Sequence, residues 1–247
     1  QGSGDVSLAG LGVLADGLDE TESAAVHAAA DFAREKTCDA VTGHDWWHVV
    51  RVTRVALMLA DVERADRFVV NLAALLHDVD DHKVSGSFET GAQTVRRFLD
   101  ELGVSERNAA EIAGVVAATS FRGAGVAELP TSVEGWCVRD ADRLDALGAI
   151  GIARAFAWGG RAGRPLHDPS TTAAQHDSAE QYARHDGTSV NHFHEKLLLL
   201  HGRMGTAGGR RIAAERTCIL REFLTAFGEE WDGRDVAAVL SLDGGSQ

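Results

Sequence analysis

Apolar side chains recur at three- and four-residue steps through most of this 247-residue chain, and only three prolines interrupt it. That spacing lays an apolar stripe along one side of a helix, whereas a half-buried strand needs strict alternation, and no run alternates convincingly. The expectation is an all-α fold, with helices over about 20 to 36, 45 to 61, 66 to 79, 87 to 102, 105 to 119, 140 to 158, 188 to 202, 206 to 228 and 232 to 241. Asp66 and Ser105 read as N-caps, and Gly103 and Gly159-Gly160 as stops. From Gly159 to Gly187 the pattern breaks around Pro165 and Pro169, as a lid or a plain surface loop would.

Hydrophobic residues at 45% are enough for a sizeable core, and the length fits one domain. We expect that domain to run from 21 to 230, with an N-terminal tail over 1 to 20 and a C-terminal helix and tail over 231 to 247. No stretch approaches the roughly 20 uninterrupted apolar residues of a membrane span. Gln1-Gly-Ser-Gly4 has the look of a tag scar and lacks the basic and apolar regions of a signal peptide, so the expected location is the cytoplasm. Cys38, Cys137 and Cys218 lie far apart and read as reduced, mostly buried thiols. A net charge of −13 argues against a nucleic-acid surface, which needs clustered Lys and Arg to displace counterions from phosphates. A small anionic substrate is compatible with that charge only in a pocket where a metal and a few cations reverse the local field.

The apolar run Phe68-Val-Val-Asn-Leu-Ala-Ala-Leu-Leu76 ends in His77-Asp78. Burying that carboxylate costs several kcal/mol unless something compensates it, and a divalent cation beside a histidine nitrogen does so. Of the His-Asp pairs in the chain, which also include His44-Asp45, His167-Asp168, His176-Asp177 and His185-Asp186, only this one closes a buried-looking helix. His48, on the earlier segment Trp46-Trp47-His48-Val-Val-Arg51-Val, and Asp142, in Asp140-Ala-Asp142-Arg143-Leu-Asp145-Ala, supply further ligands from separate segments. His48, His77, Asp78 and Asp142 form a mixed nitrogen and oxygen set that suits one divalent ion, among Mn, Mg, Fe, Co, Ni and Zn, with Mn favoured.

The order His, His-Asp, Asp is the HD signature, and the surrounding text agrees with it. Gly43-His44-Asp45-Trp-Trp-His48, Leu75-Leu-His77-Asp78-Val-Asp80-Asp81-His-Lys83, Ser120-Phe-Arg122-Gly, Arg139-Asp-Ala-Asp142-Arg-Leu-Asp145, Asn191-His-Phe-His-Glu-Lys196 and Met204-Gly-Thr206 resemble the small stand-alone bacterial members of the HD-domain superfamily of metal-dependent phosphohydrolases. The resemblance runs from about residue 22 to about 230. It implies a helical bundle with an HD core at about 44 to 150 and additional C-terminal helices at about 188 to 230. It also implies an enzyme that cleaves a phosphate ester or anhydride in a small nucleotide. A nucleoside or deoxynucleoside triphosphate split into monophosphate and pyrophosphate is the substrate suggested by the resemblance, with a nucleoside monophosphate or other small phosphomonoester as the alternative. A reading from another class is a non-catalytic nucleotide-binding regulatory module, which the intact ligand set disfavours.

Two neighbouring branches fit less well. The two-iron oxygenase branch needs added histidines, and only His82 lies between Asp78 and Asp142. The cyclic-dinucleotide branch carries Gly-Tyr-Pro, and the single tyrosine here, Tyr182, precedes Ala183.

Lys83 stands six residues beyond His77 and is the favoured phosphate contact, with Arg122, Lys196 and Arg51 as further candidates. Arg51, one turn after His48, has the alternative of supporting a carboxylate. Asp81 and Asp145 are the candidate general acids or bases, each with the alternative of anchoring a ligand from behind. His44 is placed to orient a ligand or cap a helix, Asp45 reads as an N-cap, Trp46 and Trp47 as wall and core, and Arg143 as a structural ion-pair partner. Gly148-Ala-Ile-Gly151-Ile-Ala153 reads as a close-packing stretch continuing the helix of Asp142 and Asp145, and so holding those carboxylates still.

Overall fold

The computed structural model describes residues 16–37, 45–79, 88–119, 129–174 and 187–243. Among them every regular element is helical: α1 (Glu20–Thr37), α2 (Trp46–Glu63), α3 (Arg67–Leu76), α4 (Phe88–Glu101), α5 (Glu106–Thr119), α6 (Val133–Asp145), α7 (Gly148–Arg161), α8 (189–203), α9 (Ala207–Trp231) and α10 (Arg234–Asp243). Local chemistry sets most of the starts. Asp45, Asp66, Ser132 and Thr206 each turn a side-chain oxygen onto a first-turn N–H that the helix itself leaves unpaired. Ser105 accepts from the Asn108 N–H at 3.3 Å, and Gly103 follows α4 at φ +70°, as expected of a cap and a stop.

α3 is the axis of the larger layer. Phe68 through Leu76 are buried on every side, as befits a helix apolar all round, and α1, α2, α5 and α6 pack about it. Full burial of a Leu or Val contributes roughly 1.5–3 kcal/mol, so a charge placed at Leu72 or Leu75 would break the fold. α7, α8 and α9 make a second layer on α6, threaded by stacked and tilted rings of Phe156, Phe193, Phe223 and Phe227. α8 widens into a π-helical turn at Phe193–Leu197 and closes in a 3-10 turn at His201–Arg203.

The single helix expected over 140 to 158 is two helices. α6 already starts at Val133, and the chain turns at Ala146-Leu147 before α7 begins. Gly148 sits at φ +68°, a left-handed conformation that a side chain would strain. The Leu144 carbonyl at the end of α6, which accepts the Leu147 N–H at 3.1 Å, also accepts from Arg216 Nη1, delivered by α9. Gly151 is needed because α7 folds back so closely that a Cβ there would lie 2.2 Å from the Ala146 carbonyl oxygen. The stretch does allow close approach, but across a corner and not along one continuous helix.

Three smaller expectations also change. α7 runs through Gly159-Gly160 to Arg161, and the left-handed glycine that follows it is Gly163. Trp46 packs against the core, but Trp47 is 54% exposed. Of the cysteines, Cys137 is buried, its thiol pushed up to about 12 mainly by burial, whereas Cys218 is exposed. Cys38 and His44 lie outside the described residues. Between Ala162 and Ala174 the chain is turns and extended backbone. Among the described residues no helix is long and apolar enough to cross a membrane.

Candidate metal centre

Three helices deliver the cluster. Asp45 caps α2 by accepting the His48 N–H at 2.9 Å, which sets His48 in the first turn on the inward face. His77 is the residue that closes α3, and Asp78 follows it in the turn. Asp142 and Asp145 stand one turn apart on α6, which packs on both α2 and α3.

The ligand atoms converge. His48 Nε2 lies 3.2 Å from His77 Nε2, 3.3 Å from Asp78 Oδ2 and 3.5 Å from Asp142 Oδ1. His77 Nε2 is 3.5 Å from Asp78 Oδ1 and 3.9 Å from Asp142 Oδ1. Ligating atoms of His48, His77 and Asp78 all lie within 4.8 Å of one another. The histidine side is closed, with both imidazoles buried, while the Asp142 side chain is 24% exposed, so approach from solvent is on the carboxylate side.

The far nitrogens decide what the near ones offer. His77 Nδ1 is 2.7 Å from the Ala74 carbonyl, which can only accept, so Nδ1 carries the proton and Nε2 presents a lone pair. His48 Nδ1 donates to Asp145 Oδ2 at 2.7 Å, with the same result. Two lone pairs 3.2 Å apart beside two carboxylates require a positive charge among them, either a proton or a metal ion. Two ligands at right angles on an ion about 2.1 Å from each are about 3 Å apart, which matches the histidine pair.

The electrostatics agree. Burial lowers the His48 pKa and the Arg154 charge lowers it further, but hydrogen bonds to Asp142, Asp145 and Asp78 overcome both and raise it to about 10. Burial works to raise the Asp142 pKa, yet the His48 hydrogen bond and the His77 and His48 charges hold it well below the usual carboxylate range. Without a metal the cluster therefore keeps a proton as its cation, and the donor set fits a divalent ion in its place.

Asp145 is placed differently from the general acid or base expected of it. Oδ1 accepts from Arg51 Nε at 2.7 Å, and Oδ2 accepts from Arg51 Nη2 at 2.9 Å, Arg154 Nη1 at 2.8 Å and His48 Nδ1. Against the raising effect of burial, the bonds to His48 and Arg51 hold its pKa well below the usual carboxylate range. A carboxylate so occupied anchors His48 and has little capacity to take a proton. Arg51, expected as a substrate contact, instead gives two of its donors to Asp145. Lys196 lies half-buried on the π-helical turn of α8. Arg143 is buried and donates to the Arg203 carbonyl. Asp81, Lys83 and Arg122 lie outside the described residues.

Arg154 escaped the sequence reading for a geometric reason. Nine residues along one straight helix are about 13.5 Å apart, too far for Arg154 to reach Asp145, and only the corner at Ala146-Leu147 folds it back.

The HD-domain family model matches residues 46–147, the stretch holding all four candidate ligands. The uncharacterized protein YpgQ of Bacillus subtilis is 37% identical over 198 residues, covering 80% of this chain and 89% of YpgQ. The chain belongs to the HD-domain family. A crystal structure from Lactobacillus plantarum superposes with a TM-score of 0.78 at 35% identity, covering 87% of this HD-domain chain and 99% of that one. An HD-superfamily hydrolase from Bacillus thuringiensis gives 0.66 at 35% identity, covering 85% and 98%. YpgQ in complex with ADP gives 0.66 at 29% identity in the superposition, covering 83% and 97%. HD-superfamily hydrolases are thus the class to which this chain's relatives belong.

Proposed function

We propose that this HD-domain protein is a metal-dependent phosphohydrolase acting on a small nucleotide, with His48, His77, Asp78 and Asp142 holding one divalent ion. The observation that carries the reading is the pair of Nε2 atoms facing each other at 3.2 Å beside Asp78, each on a ring whose Nδ1 proton is held by an acceptor on the far side. An ion bound there supplies charge neutralisation for a phosphoryl oxygen and acidifies water, the two services that phosphate-ester cleavage most requires. The Ala74 carbonyl and Asp145 keep the two imidazoles in the ligating tautomer, and the exposed edge of Asp142 leaves room for substrate. Lys83 is our first candidate for the phosphate contact, followed by Arg122 and Lys196, and Asp81 is our candidate for proton transfer. A nucleotide is favoured because YpgQ has been crystallised with ADP. Among nucleotides we favour a triphosphate cleaved to monophosphate and pyrophosphate, with Mn as the ion.

The test is a Mn-supplemented screen of nucleotides with products separated by chromatography. Pyrophosphate release, lost with a chelator and restored by Mn, is the expected result. Release of inorganic phosphate alone would move the substrate to phosphomonoesters. Mn binding without turnover of any nucleotide would favour a regulatory module, and undiminished turnover in metal-free protein would overturn the metal mechanism.

A further inference from the structure

Three carboxylates meet at this centre, Asp78, Asp142 and Asp145, and two guanidiniums, Arg51 and Arg154, reach the last of them. With both imidazoles neutral this set carries a single net negative charge, and a divalent ion turns it to a single positive one. Remove Arg154 and the loaded set is neutral. Counted with Asp45, which acts on Arg51 from the start of α2, the loaded set is neutral with Arg154 and negative without it. A multiply charged phosphate entering beside Asp142 therefore meets a field one charge more attractive with the second arginine than without it, in a chain that is strongly acidic as a whole.

The surroundings suit such a role. Arg154 is 16% exposed at its side chain and gives Nη1 to the oxygen that also accepts from His48 Nδ1. Among the described residues its buried Nε meets no hydrogen-bond acceptor, and Asp145 is the acceptor that holds this guanidinium. A guanidinium keeps its charge through any change at the centre, and in a partly buried site that charge is weakly screened over the distance to a bound ligand.

We propose that Arg154 is a positioning residue acting through Asp145, whose positive charge makes the metal-loaded centre more attractive to a multiply charged phosphate. The inference rests on the metal-centre reading above and goes beyond it by separating two kinds of binding. A charge of this sign repels the metal cation and attracts the phosphate anion, so its removal moves the two affinities in opposite directions. Loss of a purely structural arginine would weaken both.

The experiment titrates Mn into full-length protein and then inorganic phosphate into the Mn-loaded protein, by calorimetry, for the wild type, Arg154→Met and Arg154→Lys. For Arg154→Met we expect Mn affinity unchanged or tighter and phosphate affinity weaker by roughly three- to tenfold, a gap that closes as salt is raised. Arg154→Lys, which keeps the charge, should bind both ligands within about twofold of the wild type. Joint weakening of Mn and phosphate in Arg154→Met, phosphate affinity unchanged in that variant, or a lysine variant that loses phosphate as methionine does would each overturn the inference. If Arg154→Met does not fold, the lysine variant and the salt dependence of wild-type phosphate binding still decide, a salt-independent affinity being the overturning result. Wild-type protein that binds no Mn would sink the metal-centre reading itself, whereas the other negative outcomes leave that reading standing.

Discussion

α6 carries buried carboxylates on two faces, and they are treated in opposite ways. On the face towards α9, Asp140 accepts the Gly205 N–H at 2.9 Å, the Thr206 N–H at 2.8 Å and the Thr206 hydroxyl at 2.8 Å. Gly209 leaves it room, since a Cβ there would come within 2.3 Å of Asp140 Oδ2. Every partner is a fixed neutral donor, so the charge is solvated by protein and the contact docks α9. On the face towards α2 and α3, Asp142 meets two imidazole nitrogens whose protons are held elsewhere. There the charge is matched by an exchangeable cation, a proton in the metal-free cluster or a metal ion in its place. A buried carboxylate surrounded by donors is part of the fold, and one surrounded by lone pairs is prepared for a ligand.

The largest effect that tests this contrast is on the ligand face. His77→Ala or Asp142→Ala should reduce Mn-dependent turnover to background and weaken Mn binding by at least about tenfold, since even losses behind the ligands cost that much in metal sites. Asp142→Ala protein with full Mn content would break the comparison.

On the docking face the expected damage is to stability. Asp140→Asn puts an amide N–H₂ where an acceptor is needed and should cost about 3 kcal/mol in chemical denaturation, with Mn affinity of the folded protein kept within about twofold. Mn binding lost in step with stability would mean that the two faces are not independent. Next in size is the corner joining them to the second layer. Gly151→Ala presses a methyl onto the Ala146 carbonyl and should cost about 2 kcal/mol, and a neutral result would show that the corner has room to relax.

A fourth effect, of a different kind, is on pH. Because hydrogen bonds to Asp142, Asp145 and Asp78 raise the His48 pKa to about 10, a metal entering at neutral pH displaces a proton. Mn affinity should rise about tenfold per pH unit between about pH 6 and 9 and level off above the His48 value. An affinity flat across that range would show that His48 is already neutral before metal binds.

Much of this was legible beforehand, for local reasons. Helix starts at Asp45, Asp66 and Ser105 depend on a side chain reaching an N–H two or three residues on, and the buried α3 announces itself as an apolar run interrupted at Asn71 alone. His77-Asp78 stood out because two ligand types ended that run, and the same order of residues carries the family resemblance. The error at the corner between α6 and α7 has a definite cause. Asp140 through Phe156 reads as a single helix because nothing in the composition of Ala146-Leu147 forbids continuation. α6 ends where the Ala146 and Leu147 N–H groups turn back onto the Arg143 and Leu144 carbonyls, and Arg216, 72 residues away in sequence, adds a second donor to the Leu144 carbonyl.

The chain by itself thus determined the helical period, the caps and the four residues we propose as ligands of a divalent ion, since each follows from contacts within a turn or from side-chain chemistry. Tertiary structure alone decided that Asp145 would be clamped by Arg51 and Arg154, that Asp140 would face a different partner from its neighbour Asp142, and which tautomers the two histidines hold. Those outcomes depend on where acceptors and donors from distant helices fall in space, to within a few tenths of an ångström, and no local spacing encodes that distance.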